Sequence, residues 1–214
     1  MTPAPPVVIV DDHSLVAGAL ALALHARGVA ATAVSPEEFL PRLDDPAPPG
    51  ALVLLDLDLG DGVDGAVLVP RLRRAGWRVV LVTGSQDETR IAVGIAAGAM
   101  GRIHKSAPFD DLVTAAVRAA QGRPLISEGE RSRLEALASS SDAEQRLQRE
   151  RWDRLTPRER QIVDRIAAGK RPTAIAEEFV VSVATVRTQI RSILSKLEVR
   201  SQLEVAALAR ARGG

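Results

Sequence analysis

The sequence predicts an α/β fold, a five-stranded parallel and doubly wound sheet, followed by a smaller all-α domain. Short apolar runs alternate with helical patterns as far as about residue 121, which is the order of repeated strand-plus-helix units. From Trp152 onward the pattern is helical throughout. The net charge also changes, from −3 over residues 1–124 to +5 over residues 152–214. We therefore expect two domains, of which the second suits a polyanionic partner.

The central strand is the clearest element of the first domain. Leu52 to Leu55 are four consecutive apolar residues, and the carboxylate of Asp56 and a Gly/Asp-rich stretch follow them. This pattern is typical of a strand that is buried on both faces and ends in a loop. Chain order gives strands over 7–10, 30–34, 52–56, 79–83 and 100–104, and helices over 13–27, 36–43, 65–75, 87–97 and 108–121. Pro70 should kink the third helix or delay its start.

A polar segment separates the two predicted domains. Residues 123–153 carry a serine cluster between Arg/Glu-rich stretches, and they are predicted as a solvated linker, in part helical. The first domain is thus expected over residues 5–122 and the second over 154–214.

Composition excludes several classes of protein and site. The chain has no cysteine, which excludes disulfides and thiolate metal sites and suits a reducing compartment. Residues 1–6 lack the basic region and long apolar core of a signal peptide. No apolar run approaches the roughly 18 residues of a membrane span. We expect a cytoplasmic protein with no membrane partner.

Polar side chains follow four of the predicted strands. Asp11 and Asp12 end the first strand, Asp56 the third, Thr83 the fourth and Lys105 the fifth. The carboxyl ends of parallel strands share one edge of a sheet, so these groups can converge. Clustered carboxylates need a cation, and Mg²⁺ is the hard cation that fits oxygen ligands. The hydroxyl and the ammonium are suited to the oxygens of a phosphoryl group on Asp56.

This arrangement resembles the flavodoxin-like receiver domain of bacterial two-component response regulators. The resemblance implies that Asp56 accepts phosphate from the phosphohistidine of a sensor histidine kinase. It implies that Mg²⁺ is held by Asp12, Asp56 and the main-chain carbonyl of Asp58, assisted by Asp11. Thr83 would swing toward the acyl phosphate, and Lys105 would pair with it.

Two departures from the receiver pattern leave alternatives open. The family usually has an aromatic residue three positions before the lysine, where this chain has Arg102. Because of Arg102 and the altered loop after Asp56, a DNA-binding regulator that is controlled by a ligand or partner, independently of phosphorylation, is the second hypothesis. Asp58, two residues after the acceptor, either alters the lifetime of the acyl phosphate or is a loop carboxylate that faces water.

A remote third hypothesis is an enzyme. The stretch from Asp56 to Leu59 also resembles the nucleophile motif of haloacid-dehalogenase-like phosphatases, in which Asp58 would act as acid and base. That fold should supply a further acidic pair after another strand, whereas Asp110 and Asp111 open a helix. We expect that the protein is not an enzyme.

The second domain begins with a clear helix start. Residues 156–159 form a capping box with proline at the first helical position, and a short helix over 174–179 follows. Ser182 caps a third helix that runs to about Leu197. One face of this helix is apolar at three- and four-residue spacing, and the opposite face carries short side chains and arginines. Such a helix, after a tight turn, can enter the major groove of DNA.

These helices resemble the LuxR/NarL-type helix-turn-helix domain over Leu155 to about Leu208. The match lies in the capping box, in Ile175-Ala176, in Ser182 with the stretch from Thr185 to Arg187, and in Ile193 with Lys196. The resemblance implies a set of contacts to double-stranded DNA. Base contacts are expected from Arg187, Thr188 and Arg191, and phosphate contacts from Thr185 and Lys196. The last helix, over about 201–210, would carry the contacts of an active homodimer.

The sequence thus predicts a phosphorylation-controlled transcriptional response regulator of the NarL/LuxR type. His13, His25 and His104 form no ligand spacing and are predicted to be structural or surface residues. Trp77 and Trp152 are predicted to be packing residues.

Overall fold

The computed structural model describes residues 6–213. They divide into two compact units, one ending at Ser141 and the other beginning at Asp142. Within the described part of the chain, no helix is long and apolar enough to cross a membrane.

The first unit contains the predicted five-stranded parallel sheet. Its strands are β1 (Val7–Val10), β2 (Ala31–Val34), β3 (Leu52–Asp56), β4 (Arg78–Thr83) and β5 (Arg102–His104). Their order is β2-β1-β3-β4-β5, and all neighbours are parallel. Every residue of β3 is buried, as expected for a central strand that is covered on both faces.

Helices cover both faces of this sheet. They are α1 (Ser14–Ala26), α2 (Pro36–Phe39), α3 (Val69–Arg74), α4 (Glu88–Ala96), α5 (Phe109–Ala120) and the beginning of α6 (Glu128–Asp153). One core combines apolar side chains of α1 and α5 with Leu52 and Leu54. The other combines those of α2, α3 and α4 with Val53 and Leu55. Alternate residues of β3 thus serve opposite cores, which confirms a doubly wound sheet.

The third helix begins late, as Pro70 predicted. Residues Gly65–Leu68 form a 3₁₀ turn, and α3 follows with Pro70 in its first turn. Proline is tolerated there because the first amides of a helix have no partner within the helix.

The segment over 123–153 differs from the predicted solvated linker. Residues 128–153 form one helix, α6, whose first part belongs to the first unit. Leu134 is fully buried and Ala138 is 4% exposed in the core that contains α4. The physical reason is that two apolar residues four positions apart share one face of a helix, which the polar composition of the segment conceals. The serine cluster is accommodated because Ser139 and Ser140 donate to backbone carbonyls of the preceding turn, at 2.9 Å each.

The second unit contains the end of α6 and four further helices. These are α7 (Pro157–Ala167), α8 (Pro172–Glu178), α9 (Val183–Leu197) and α10 (Gln202–Gly213). The predicted capping box is present, since the Thr156 hydroxyl accepts from the Glu159 N–H and the Glu159 carboxylate accepts from the Thr156 N–H. All four helices and Trp152 contribute to one apolar core.

Candidate functional sites

The strand register brings the predicted carboxylates together. Val10 of β1 lies opposite Leu55 of β3, so the next residues, Asp11 and Asp56, are neighbours at the edge of the sheet. Both are nearly fully buried, with 4% and 2% exposure. Ligand atoms of Asp11, Asp12, His13 and Asp56 all lie within 4.8 Å of one another. Since three of these residues are carboxylates, the group is suited to a hard divalent cation.

Lys105 lies between the two buried carboxylates. Its ammonium Nζ is 2.6 Å from Asp56 Oδ2 and 2.7 Å from Asp11 Oδ2. The backbone N–H of Lys105 donates to the Thr83 carbonyl at 2.8 Å, which fixes the lysine at the end of β5. One partly buried cation between two buried anions lowers the cost of keeping both carboxylates away from water.

The pKa values of this group reflect burial and pairing. Burial raises the pKa of Asp56, and hydrogen bonds from Lys105 and from the backbone N–H of Asp58 oppose that rise. Burial would lower the pKa of Lys105, but its hydrogen bonds with Asp11 and Asp56 outweigh burial and raise the pKa. Lys105 is therefore a cation at neutral pH and favours the ionised form of the carboxylates beside it.

Thr83 ends β4 and is fully buried. Its hydroxyl accepts a hydrogen bond from the backbone N–H of Ser85 at 2.9 Å. The predicted hydroxyl is thus at the same edge of the sheet, held by the turn that follows its own strand.

His13 is a surface residue, with 67% of its side chain exposed, and it also contacts the acidic group. Its Nδ1 lies 2.5 Å from Asp12 Oδ1 and 3.5 Å from Asp11 Oδ1. Its backbone N–H donates to Asp11 Oδ1 at 2.9 Å. The signal in the sequence was its position immediately after the acidic pair rather than any ligand spacing.

Asp58 has a partner that the sequence did not reveal. Its Oδ1 lies 2.8 Å from Nη1 of Arg90, which belongs to α4, while the carboxylate side chain remains 61% exposed. Asp58 is thus a loop carboxylate that faces water on one side and is paired with α4 on the other.

Arg102, in the place of the usual aromatic residue, contacts the beginning of α6. Its Nη2 donates to Glu130 Oε1 at 3.0 Å. Near this pair, the Arg133 guanidinium donates to both oxygens of Glu88 on α4, at 2.9 and 3.0 Å. These contacts and Leu134 attach α6 to α4 and β5.

The predicted recognition helix is α9. The Ser182 hydroxyl caps it by accepting from the Thr185 N–H at 3.0 Å. The residues buried against the other helices are Val186, Ile190, Ile193 and Leu197. The residues exposed on the other side include Thr185, Arg187, Thr188 and Arg191. The structure thus brings four of the five predicted DNA-contact residues together on the exposed side of one helix.

Lys196, the fifth predicted DNA-contact residue, is engaged within the second unit. Its Nζ lies 2.6 Å from Oε2 of Glu159, which is 5% exposed. The Ser192 hydroxyl donates to the other oxygen of this carboxylate at 2.7 Å. Burial alone would raise the pKa of Glu159, but the hydrogen bonds from Lys196, Ser192 and Thr156 lower it to about 2. The sequence predicted the capping role of Glu159 but not this ion pair.

Comparisons with known proteins give a family match for each unit. Residues 7–117 match the family model "Response regulator receiver domain", and residues 153–209 match "Bacterial regulatory proteins, luxR family". The chain is 31% identical to the nitrate/nitrite response regulator protein NarL of Escherichia coli over 157 residues, 72% of this chain and 71% of that protein. It is 28% identical to the transcriptional regulatory protein LiaR of Bacillus subtilis, over 95% of each chain. A solved structure of RcsB from Salmonella enterica serovar Typhimurium bound to promoter rprA aligns with a TM-score of 0.47 and 21% identity, over 95% of this chain and 97% of that one.

Proposed function

Since the chain belongs to the response regulators that join a receiver domain to a luxR-type DNA-binding domain, we propose that phosphorylation of Asp56 controls how its second unit binds DNA. The protein is a DNA-binding transcriptional response regulator. The observation that carries the proposal is the buried Asp56 carboxylate, hydrogen-bonded to Lys105 beside Asp11 and Asp12. We place this function in the cytoplasm, where the DNA target is accessible.

In the phosphoryl transfer, an Asp56 carboxylate oxygen attacks phosphorus while the N–P bond of the kinase's phosphohistidine breaks and the imidazole leaves. Lys105 is placed to balance the charge of the transferred group, since its ammonium already contacts the acceptor oxygen at 2.6 Å. The Thr83 hydroxyl would turn from Ser85 toward the new phosphoryl oxygens. When the aspartyl phosphate forms, Lys105 would exchange a hydrogen bond with the Asp56 carboxylate for one with the phosphoryl group. The Thr83 hydroxyl would form a new hydrogen bond with the same group.

Mg²⁺ is the proposed cofactor. The carboxylates of Asp11, Asp12 and Asp56 and the main-chain carbonyl of Asp58 would hold it, and it would neutralise charge between these groups and the phosphoryl oxygens. The clustering of three carboxylates within 4.8 Å supports this donor set.

The proposed partner of the second unit is double-stranded DNA, bound by a homodimer. Arg187, Thr188 and Arg191 would contact base edges in the major groove, and Thr185 and Lys196 would contact phosphates. Two copies of α9, related by dimer contacts along α10, would then read half-sites about one helical turn apart.

Control without phosphate is the second candidate. It is favoured by one contact, since Arg102 is tied to Glu130 on α6 at 3.0 Å where the family pattern has an aromatic residue. In this case a ligand or protein partner would act on the same contact, and phosphate would have no effect on DNA binding.

Phosphate uptake tests the proposal. The protein is incubated with Mg²⁺ and acetyl phosphate, and its intact mass is followed for the wild type and Asp56→Asn. We expect one phosphoryl adduct in the wild type and none in the variant. A folded wild type without an adduct would favour control without phosphate. Repeated turnover of phosphate esters, which we do not expect, would instead indicate a phosphatase.

A further inference from the structure

Arg90 connects α4 to the loop that follows the phosphoryl acceptor. Its Nε donates to Asp64 Oδ2 at 3.0 Å, its Nη1 to Asp58 Oδ1 at 2.8 Å and its Nη2 to the Leu57 carbonyl at 2.8 Å. All three acceptors lie within eight residues after Asp56. One guanidinium therefore holds both ends of the loop over 57–64.

The loop that Arg90 holds has an unfavourable backbone. Three consecutive residues, Gly60, Asp61 and Gly62, have left-handed conformations with φ of 78°, 50° and 73°. For Asp61 this conformation is less favourable than for the two glycines, because it carries a side chain. Asp58 and Asp64 face each other as an isolated antiparallel pair that closes the loop. Backbone hydrogen bonds from Leu59 to Val63 and from Val63 to Gly60 close the middle of the loop, and Arg90 adds contacts from outside it at both ends.

Arg90 is also the cation of an acidic cleft. An open cleft of about 410 Å³ beside the acceptor is lined by Asp12, Asp58, Asp64, Arg90 and the glycines of the loop. The hydrogen bond with Asp64 is the largest cause that raises the pKa of Arg90, and the bond with Asp58 adds to it. Without this cation, the two carboxylates of the loop would stand uncompensated next to the place where a phosphoryl group arrives.

We propose that Arg90 is a positioning residue for phosphorylation of Asp56. It fixes the backbone at Leu57 and Asp58 and compensates the charge of Asp58 and Asp64, so that an anionic phosphodonor can approach the acceptor. This inference rests on the proposed function, because it concerns the rate of that same reaction. It assigns a role to a residue of α4, whereas the receiver resemblance assigns roles at the ends of strands and in the loop after β3.

The test compares initial rates of phosphoryl adduct formation with acetyl phosphate and Mg²⁺, read by intact mass on the full chain. Arg90→Ala is expected to lower the rate about tenfold, because charged hydrogen bonds of this kind are lost. In an Asp58→Asn background, Arg90→Ala should lower the rate by no more than about threefold, since one of the two uncompensated carboxylates is then absent. The matched control is Arg71→Ala, which removes a guanidinium paired with Asp44 outside the acceptor loop and should leave the rate unchanged.

Each outcome bears on a different claim. Wild-type rates in folded Arg90→Ala would overturn the inference and leave the proposed function intact. Equal losses in the wild-type and Asp58→Asn backgrounds would overturn charge compensation, because the loss would then not depend on the charge of Asp58. A wild type without an adduct would overturn the proposed function and the inference together. If Arg90→Ala does not fold, Arg90→Lys serves, with an expected loss of about threefold because lysine keeps the charge without the fork of donors.

Discussion

Arg102 Nη2 lies 3.0 Å from Glu130 Oε1, which joins the first residue of β5 to the beginning of α6. The two side chains are 28% and 33% exposed, so the pair is partly screened by solvent. Residue 102 is three positions before Lys105, which itself contacts Asp56. Arg102 therefore connects the strand that precedes Lys105 to α6, the helix in which the first unit ends.

We predict that Arg102→Ala loosens the beginning of α6. A partly exposed pair contributes up to about 1 kcal/mol, so backbone amides over 128–138 should exchange with deuterium up to about fivefold faster. Hydrogen exchange read by mass spectrometry measures this directly. The control is Arg42→Ala, an exposed arginine outside this contact, which should not alter exchange over 128–138. Unchanged protection in Arg102→Ala would show that the pair does not hold the helix.

Leu134 should contribute far more to the stability of the first unit than the ion pairs around it. It is fully buried, so Leu134→Ala should lower the free energy of unfolding by about 2–5 kcal/mol, through lost burial and the cavity that remains. Urea unfolding followed by Trp77 fluorescence, in a Trp152→Phe background, isolates the first unit. Leu147→Ala, in the same helix but with Leu147 43% exposed, is the control and should have little effect. A loss below about 1 kcal/mol for Leu134→Ala would contradict the packing of α6 in that core.

The pKa of Glu159 predicts a pH dependence of the second unit. Its folded pKa of about 2 lies below the ordinary value of 4.5. A lowered carboxylate pKa stabilises the folded state above the unfolded value, and this stabilisation is lost as the pH falls from about 4.5 toward 2. Glu159→Gln should therefore be less stable at neutral pH by at most about 3 kcal/mol, and by less to the extent that water screens the partly exposed Lys196.

The measurement is urea unfolding followed by Trp152 fluorescence, in a Trp77→Phe background, between pH 7 and pH 3. The difference in the free energy of unfolding between the protein with Glu159 and the Glu159→Gln variant should become smaller as the pH falls below about 4.5. A difference that stays constant over this range would contradict the lowered pKa.

Arg191 should contribute to sequence-specific DNA binding. A base contact of this kind is worth about 1–3 kcal/mol, so Arg191→Ala should weaken specific binding about 5- to 150-fold. Fluorescence anisotropy on the target promoter and on unrelated DNA measures both affinities. The control is Arg160→Ala, which removes an exposed arginine on α7 and should change neither of the two affinities greatly. Equal losses on both DNAs would reassign Arg191 to the phosphate backbone.

The sheet and the acceptor group could be predicted because their signals are local. Apolar runs fix the strands, and the ends of parallel strands meet by geometry, so Asp11, Asp56, Thr83 and Lys105 were placed at one edge from the sequence alone. The buried face of α9 followed from helical spacing in the same way. The exposed face of α9, which carries Arg187 and Arg191, consists of the residues outside its apolar stripe.

The missed features depend on contacts between distant parts of the chain. Arg90 reaches Asp58 across 32 positions, and Lys196 reaches Glu159 across 37, and no spacing rule anticipates either pair. The packing of α6 was missed because two buried residues, Leu134 and Ala138, are few among many polar neighbours. Their burial depends on the core of the first unit, which the segment itself does not encode.

DNA binding before and after phosphorylation shows directly whether Asp56 controls the second unit. Anisotropy titrations on the target promoter would compare the wild type and Asp56→Asn, each with and without Mg²⁺ and acetyl phosphate. We predict that phosphorylation tightens wild-type binding at least about tenfold, a coupling of about 1.4 kcal/mol, and leaves Asp56→Asn unchanged. Identical wild-type affinities in the two states, with the phosphoryl adduct confirmed by mass, would contradict control through Asp56.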